Sequence, residues 1–290
     1  VNGIDHLVLC VRDLDGARAR YTALGFTMAP KAQHPFGTGN SNIQLQGSFL
    51  EVLTVMAPGD IVEHDDNAFS FSAFNRDFLA RGEGLSMLVL ESHDPDADQA
   101  RFSKHNLQTY APFDFSRQAR QPDGSEATVG FSLRFTTDPG MPDAAFFTCR
   151  QQAPELFWKA EYQAHANTAQ AVDDVAIVSD HPLSHSAFLT GFTGVTDVIA
   201  ADSELRLETP RGSICVLTPE LFEARYHSAT PDLSNGARLA GFTVAVKSLA
   251  ICRDCLKQAG VAYQEADGRL TIPARQNFNA ALAFVEHSGP

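Results

Sequence analysis

Basic residues are scarce in this chain: 22 Lys and Arg stand against 35 Asp and Glu, for a formal charge of −13. Nucleic acids and anionic membrane surfaces recruit basic patches, so neither is an expected partner. Long apolar runs are missing too. No stretch approaches the ~20 residues of a membrane-spanning helix, and no basic start leading into an apolar run marks a secretion signal. Cysteine is sparse and odd in number, at five, and Cys10, Cys149 and Cys215 fall in strand-like apolar segments where any small residue would serve. That pattern excludes a disulfide scaffold and predicts a reduced, cytoplasmic protein. Low-complexity tracts are absent. What is present is a 290-residue chain, 44% hydrophobic, long enough for about two domains around a large core.

The chain repeats one unit four times. A short apolar strand runs into a capping residue, then a helix, then Gly or Asn and a second strand. The strands are 4–11, 85–90, 172–178 and 240–246, and the caps are Asp13, Asp94 (before Pro95), Asp180 and Ser248. Asp and Ser accept from the free N–H groups of a helix start; Gly and Asn tolerate the left-handed residue past its end, here Gly25, Asn106, Gly191 and Gly260. Caps in a shared order, at intervals of roughly 65–90 residues, mark a repeated supersecondary unit.

Three further strands follow each helix. In the first unit they are 26–29, 42–46 and 49–55, with Gly47-Ser48 as the hairpin turn. The second is longer, with a turn at Pro122-Asp123-Gly124, a strand over 127–136 and a last strand over 144–149. The third has 196–200, 204–209 and 213–218, and the fourth has 262–264, 269–272 and 281–285. The unit is β-α-β-β-β. Two segments interrupt the pattern. Residues near 56–83 carry Phe71, Phe74 and Phe78 at the spacing of one helix face, which suits packing on a sheet or a lid over a cleft. Residues 152–170, with Pro154, Phe157 and Trp158, join the second unit to the third.

Particular residues in the first half carry a resemblance. Ile4-Asp5-His6-Leu7-Val8, the loop His34-Pro35-Phe36-Gly37-Thr38-Gly39-Asn40 and the strand Gly47-Ser48-Phe49-Leu50-Glu51-Val52-Leu53 resemble the opening strand, the His-Pro loop and the Leu-Glu strand of glyoxalase-like domains. Ala145-Phe146-Phe147 is weakly similar to a later strand of such domains. The four-unit plan resembles the vicinal oxygen chelate superfamily, which includes glyoxalase I, extradiol dioxygenases and bleomycin-resistance proteins. The match covers 3–55 well and extends to about 150; beyond that, only the order of elements supports it. The resemblance implies an α+β fold of four βαβββ units paired into two open-barrel domains, 1–155 and 170–290, the second degenerate.

In that superfamily a divalent metal sits between paired units, on ligands from the first and last strands of each. Carried over, this implies His6 and Glu51 as metal ligands and catalytic residues, with His34, Thr38 and Asn40 binding substrate. Imidazole and carboxylate together suit one Zn, Fe, Ni or Mn ion, which would leave open positions for substrate oxygens. No nucleotide cofactor is implied. The equivalent places elsewhere fall at Ser86 or Met87 and Phe147, then at Asp174, Cys215, Gly241 and Ala283. These offer no His or Glu, so metal is expected only in the N-terminal half, and the ligands of an extradiol dioxygenase are missing.

Plainer roles stand beside each of these. His6 fits a core histidine satisfied by a carboxylate. Glu51, between Leu50 and Val52, needs a partner or a pocket, since a bare buried carboxylate is costly. His34, Thr38 and Asn40 fit turn chemistry. Cys252 and Cys255 have C-x-x-C spacing, but on a helix stripe that suits packing; His181 and His185 are four apart, with Pro182 breaking the face. The function expected is a glyoxalase-like isomerase, lyase or hydrolase acting on a small oxygenated metabolite. The alternative is a metal-free protein that sequesters a small molecule, and third comes a dioxygenase-like protein without the usual ligands.

Overall fold

The computed structural model describes residues 1–120 and 124–287. The expected Pro122-Asp123-Gly124 turn falls, in its first two residues, outside the described residues. The first unit comprises β1 (Ile4–Cys10), α1 (Leu14–Ala23), β2 (Ala32–Gln33), β3 (Thr38–Gln44) and β4 (Phe49–Val55). An inserted helix, α2 (Phe71–Arg81), leads to β5 (Gly84–Glu91), α3 (Pro95–Lys104), β6 (Phe113–Arg120), β7 (Glu126–Thr136) and β8 (Ala145–Gln151). A short helix, α4 (Pro154–Phe157), begins the connection to the second half. There β9 (Ala169–Val178), α5 (Ser186–Thr193), β10 (Val198–Ala201), β11 (Glu204–Glu208) and β12 (Ser213–Leu217) precede α6 (Pro219–Tyr226). The last unit is β13 (Arg238–Val246), α7 (Leu249–Gln258), β14 (Gln264–Ala266), β15 (Arg269–Ile272) and β16 (Ala281–Glu286).

The repeat is visible in the sheets. One runs β2-β3-β4-β1-β5-β8-β7-β6 and the other β10-β11-β12-β9-β13-β16-β15-β14, the same order element for element. In every unit the first strand pairs parallel with the last, and the two first strands of each half pair antiparallel at the centre. Three of the expected caps hold: the side chains of Asp13, Asp94 and Ser248 accept from helix N–H groups. Asp180 does not cap. A 3-10 turn, Pro182–His185, leads into α5 there, and the Ser179 hydroxyl accepts from the His181 N–H instead. Gly191 lies inside α5 against His105, and Gly194, at φ +77°, ends the helix.

Strand alternation sorts the core into layers. Leu7, Leu9 and Val11 face one way with Leu50 and Val52, and they pack with Tyr21 of α1, Phe102 of α3, Phe192 of α5 and Leu256 of α7 in a single apolar cluster. Four helices are thus held between the two sheets. The other faces point into separate interiors. In the N-terminal half that interior is a phenylalanine-rich cluster joined by Phe71 and Phe78 of α2, so the inserted helix packs on the sheet. In the C-terminal half it is small, with Ala176, Ala240, Ala281 and Ala283 around Phe222 and Tyr226 of α6.

Two boundaries moved from the sequence expectation in a way that matters below. Residues 26–29 form no strand; the pairing is Ala32 with Asn40 and Gln33 with Gly39, so Thr38 and Asn40 lie on β3 rather than in a loop. Helix α6 was not expected at all, although Thr218, whose hydroxyl caps it, and Pro219 at its first turn are helix-start signals.

Candidate active site

The register between strands defines four equivalent pairs of positions. His6 lies opposite Phe49 and Val8 opposite Glu51; the same offsets select Met87 with Phe147, Asp174 with Cys215, and Gly241 with Ala283. Met87, not Ser86, is therefore the second unit's counterpart of His6. Only the first pair combines an imidazole with a carboxylate.

Those two side chains meet. His6 Nε2 is 3.7 Å from Glu51 Oε2, and both residues are about 5% exposed. On its other side His6 Nδ1 is 2.6 Å from the Asp5 carboxylate, itself approached by Gln151 Nε2 at 3.4 Å. An ionised carboxylate only accepts, which assigns the Nδ1 proton and leaves Nε2 facing Glu51. Phe49 stacks on the ring at 4.2 Å and Phe147 meets it edge-on at 5.6 Å, so its orientation is fixed by packing as well.

The second oxygen of Glu51 is held differently. Asn40 Nδ2 donates a short hydrogen bond to Oε1 and also lies 3.3 Å from His34 Nε2. The amide is a donor, so His34 Nε2 accepts, and His34 Nδ1 carries the proton that reaches Thr38 Oγ1 at 2.8 Å. Burial, with the nearby Arg117 cation and His6 adding to it, drives the His34 pKa from its ordinary 6.5 down to about 3. His34 is neutral, and both its nitrogens are in use. The expected substrate-binding trio thus forms one hydrogen-bonded chain, Thr38–His34–Asn40, that ends on Glu51 and leaves Oε2 as the free oxygen.

The cavity around this chain is small, ≈ 40 Å³, and is walled by Phe49 of β4, Phe71 of α2, Phe115 of β6, Phe131 of β7, Phe147 of β8 and Phe157 of α4, with Phe36 just ahead of β3. Its polar lining includes two residues not singled out from the sequence. Asn42, two positions from Asn40 on the same face of β3, has a buried Oδ1 without a hydrogen-bond partner. Arg117 reaches the cavity from β6, where Phe113, Phe115 and Arg117 alternate inward at period two; that alternation was the available signal. A larger cleft of ≈ 470 Å³ lies between the halves, but it is wide and mixed in charge, and its Arg81 and Arg238 both turn to Asp143. Convergent polar groups in an apolar enclosure favour the smaller cavity.

The donor set does not fit a resident divalent metal. Among the described residues, no group of three His, Cys, Asp or Glu side chains is placed to hold one. His6 Nε2 and Glu51 Oε2 are two donors; His34 is committed to Asn40 and Thr38, and the positions across the sheet are Met87 and Phe147. Cys149 also lines the cavity, but burial first, then the charges of Asp5 and Glu51, push its thiol well above the usual range, so no thiolate is offered.

The C-terminal counterpart is filled by the chain itself. Tyr226 of α6 donates to Asp174 Oδ1 at 2.5 Å, Thr243 Oγ1 donates to the same oxygen at 3.0 Å, and Arg269 stands 3.9 Å from Oδ2. A Cβ added at Gly241 would lie 3.2 Å from the Tyr226 ring. The small residues at Gly241 and Ala283 make room for α6. His181 and His185 do not pair: His185 Nε2 contacts Ser179 Oγ at 3.0 Å, and Nδ1 is 3.4 Å from Asp138. Cys252 is buried on the inner side of α7 and Cys255 is half-buried; both are free thiols.

Solved structures share this architecture at low identity. A hypothetical protein from Staphylococcus aureus aligns over 99% of this chain and 100% of its own, with a TM-score of 0.68 and 11% identity. A variant of 4-hydroxymandelate synthase from Streptomyces coelicolor aligns over 99% and 93%, with a TM-score of 0.61 and 12% identity. A xylose isomerase-like TIM barrel/4-hydroxyphenylpyruvate dioxygenase fusion protein aligns over all of this chain and 50% of its own, with a TM-score of 0.56 and 12% identity. No curated protein sequence matches. The fold is the α+β vicinal oxygen chelate type, with two eight-stranded halves. The model of the glyoxalase-like domain matches residues 4–192, more than half of the chain and the whole of the cavity-bearing sheet, and the chain belongs to that family.

Proposed function

We propose that the N-terminal cavity is an active site that moves a proton on a small oxygenated substrate, by isomerisation or lyase chemistry, with Glu51 as the base. The observation that carries this is the asymmetry of the carboxylate: Asn40 fixes Oε1, while Oε2 is left facing His6 Nε2 across 3.7 Å. That gap is too long for a direct hydrogen bond. A substrate group between the two would be gripped from both sides.

The chemistry follows from the two acceptors. A hydroxyl next to a carbonyl donates to His6 Nε2, whose ring is held by Asp5 and by Phe49. Glu51 Oε2 takes the proton from the carbon bearing that hydroxyl. The C–H electrons form the C=C bond of an enediol or enediolate, and the carbonyl oxygen takes up the negative charge or a proton. Returning the proton to the former carbonyl carbon, while the hydroxyl proton passes by way of His6 Nε2 to the former carbonyl oxygen, completes an isomerisation; expelling a leaving group from the carbon on the other side of the hydroxyl-bearing one, as the carbonyl re-forms, completes an elimination. A positioned base of this kind contributes about 10²–10⁴-fold, and the apolar walls strengthen it by excluding water. No step is routed through a metal, because the donor set falls one ligand short.

A second function has its own support. The cavity is small, and apart from this polar chain, Asn42 and Arg117 its lining is mainly phenylalanine, as suits a protein that sequesters a ligand without converting it. One experiment separates the two. α-Hydroxy aldehydes and α-hydroxy ketones are incubated with the protein in D₂O and followed by proton NMR. Deuterium entering at the carbon beside the carbonyl, and lost in Glu51→Gln, is expected of the enzyme. Ligand line-broadening without exchange would favour sequestration.

A further inference from the structure

Arg117 has no assigned task, and its surroundings are unusual for an arginine. It sits on β6 among phenylalanines, with its guanidinium 5.9 Å from the centre of the Phe131 ring. Its Nε is buried and, among the described residues, has no hydrogen-bond partner, while Nη1 donates a long hydrogen bond, 3.5 Å, to the Gln118 carbonyl. Among the described residues no carboxylate lies within ion-pairing distance of it. Glu51 is near enough to be felt through its charge but is engaged by Asn40. A half-buried, unpaired guanidinium is costly unless something anionic arrives to meet it.

Its place explains what could arrive. Arg117 lines two spaces at once: the inner cavity and an outer groove of ≈ 260 Å³. It shares that position with Asn40, Asn42 and Phe157, so these four residues form the neck between groove and cavity. The groove is lined by Lys31 and Lys159 besides Arg117, against Glu126. Lys31 is paired with Asp15 at 3.0 Å, so Arg117 and Lys159 outnumber Glu126 by two to one, a reversal of sign on a chain whose net charge is −13. Such a patch draws anions inward. Beyond the neck the walls are mainly aromatic and carry the Glu51 carboxylate, which suits a flat or aliphatic body and not a second anionic group.

We infer that the substrate is a small monocarboxylate, its carboxylate seated on Arg117 at the neck and its apolar body lying among the phenylalanines with the reacting carbon toward Glu51. The inference rests on the proposed active site but concerns recognition, so it is separable from proton transfer. A planar guanidinium matches a carboxylate through two parallel N–H donors, and the orphaned Nε supplies one of them. Arg117 would act as the specificity residue and Glu51 as the catalytic one.

Binding alone tests it. Trp158 is the single tryptophan and meets Phe49 and Phe157, both on the cavity wall, edge-on, so its fluorescence reports occupancy. Benzoate, phenylacetate, 3-phenylpropionate and hexanoate are titrated, each against its neutral amide. At least one acid should bind tenfold or more tightly than its amide. Arg117→Gln should erase that preference with little change in amide binding, Arg117→Lys should restore part of it, and Glu51→Gln should keep it. No preference for any of the four acids, or a preference that survives Arg117→Gln, overturns the inference. A preference that depends on Arg117, in a protein whose D₂O exchange is absent or independent of Glu51, would instead sink the proposed chemistry and leave the carboxylate site standing.

Discussion

His34 offers a quantitative test of how the site is held together. The residue is about 5% exposed, and its pKa lies near 3 against 6.5 in an open chain, with burial as the main cause. Between those values the unfolded chain binds a proton that the folded protein refuses. Stability therefore falls as pH drops through 6.5, by about 1.4 kcal/mol per pH unit, until the folded residue titrates near 3. At pH 5 this one group costs about 2 kcal/mol relative to pH 8. His34→Gln removes the titration while keeping an amide that can both donate toward Thr38 and accept from Asn40. Urea unfolding followed by Trp158 fluorescence, on both proteins at pH 8 and pH 5, isolates the effect, because carboxylates shared by the two cancel in the double difference. The variant should be less stable at pH 8, and its deficit should shrink by about 2 kcal/mol at pH 5. Parallel profiles, within about 0.5 kcal/mol, would mean that His34 is already charged or exposed, and the Thr38–His34–Asn40–Glu51 chain would have to be redrawn.

Other expectations follow from the same geometry. Tyr226→Phe removes the phenol that donates to the buried Asp174, a loss of about 1.5–3 kcal/mol; at about 2.1 cal/mol/K per residue, that lowers the melting temperature by about 2–5 °C, and an unchanged melting curve would show that Thr243 and Arg269 suffice. Asn40→Leu frees Glu51 Oε1 and leaves a buried carboxylate and imidazole unsatisfied, so it should cost about 1–3 kcal/mol and also depress deuterium exchange, whereas loss of stability alone would limit Asn40 to a structural role. Zinc or manganese added to the purified protein should bind weakly and wash out on desalting, with no binding left in a His6→Ala/Glu51→Ala variant. Stoichiometric metal retained by that variant would put a metal site elsewhere.

The meeting of His6 with Glu51 was legible because strand periodicity is strict. Once 4–11 and 49–55 are strands, Leu7, Leu9, Leu50 and Val52 must share a face, and His6 and Glu51 fall on the other. Register then brings them within 3.7 Å. Asn40 was identified but placed in a loop, because Gly37 and Gly39 resemble turn residues; in the fold only Gly37, at φ +93°, needs the freedom of glycine, and Gly39 sits in β3. Arg117 stayed hidden for a different reason. Its strand reads Phe-Asp-Phe-Ser-Arg-Gln, alternating well enough, but a cation on the inward side looks like an edge residue until the sheet curls and sets β6 beside the mouth of the cavity. Curvature is a property of the whole sheet. The plug in the C-terminal half was half legible: Asp174, Cys215, Gly241 and Ala283 announced an altered site, but only packing shows that Tyr226 fills it.

Deuterium exchange compared across the two halves tests the central claim most directly. Glu51→Gln and Asp174→Asn each replace the carboxylate of one of the two corresponding sites with an isosteric amide, one in an open cavity and one against α6. On any substrate that the wild type exchanges in D₂O, Glu51→Gln should lower the rate by about 10²–10⁴-fold while Asp174→Asn leaves it within about twofold. Equal losses in both variants, or a loss only in Asp174→Asn, would contradict an active site in the N-terminal cavity.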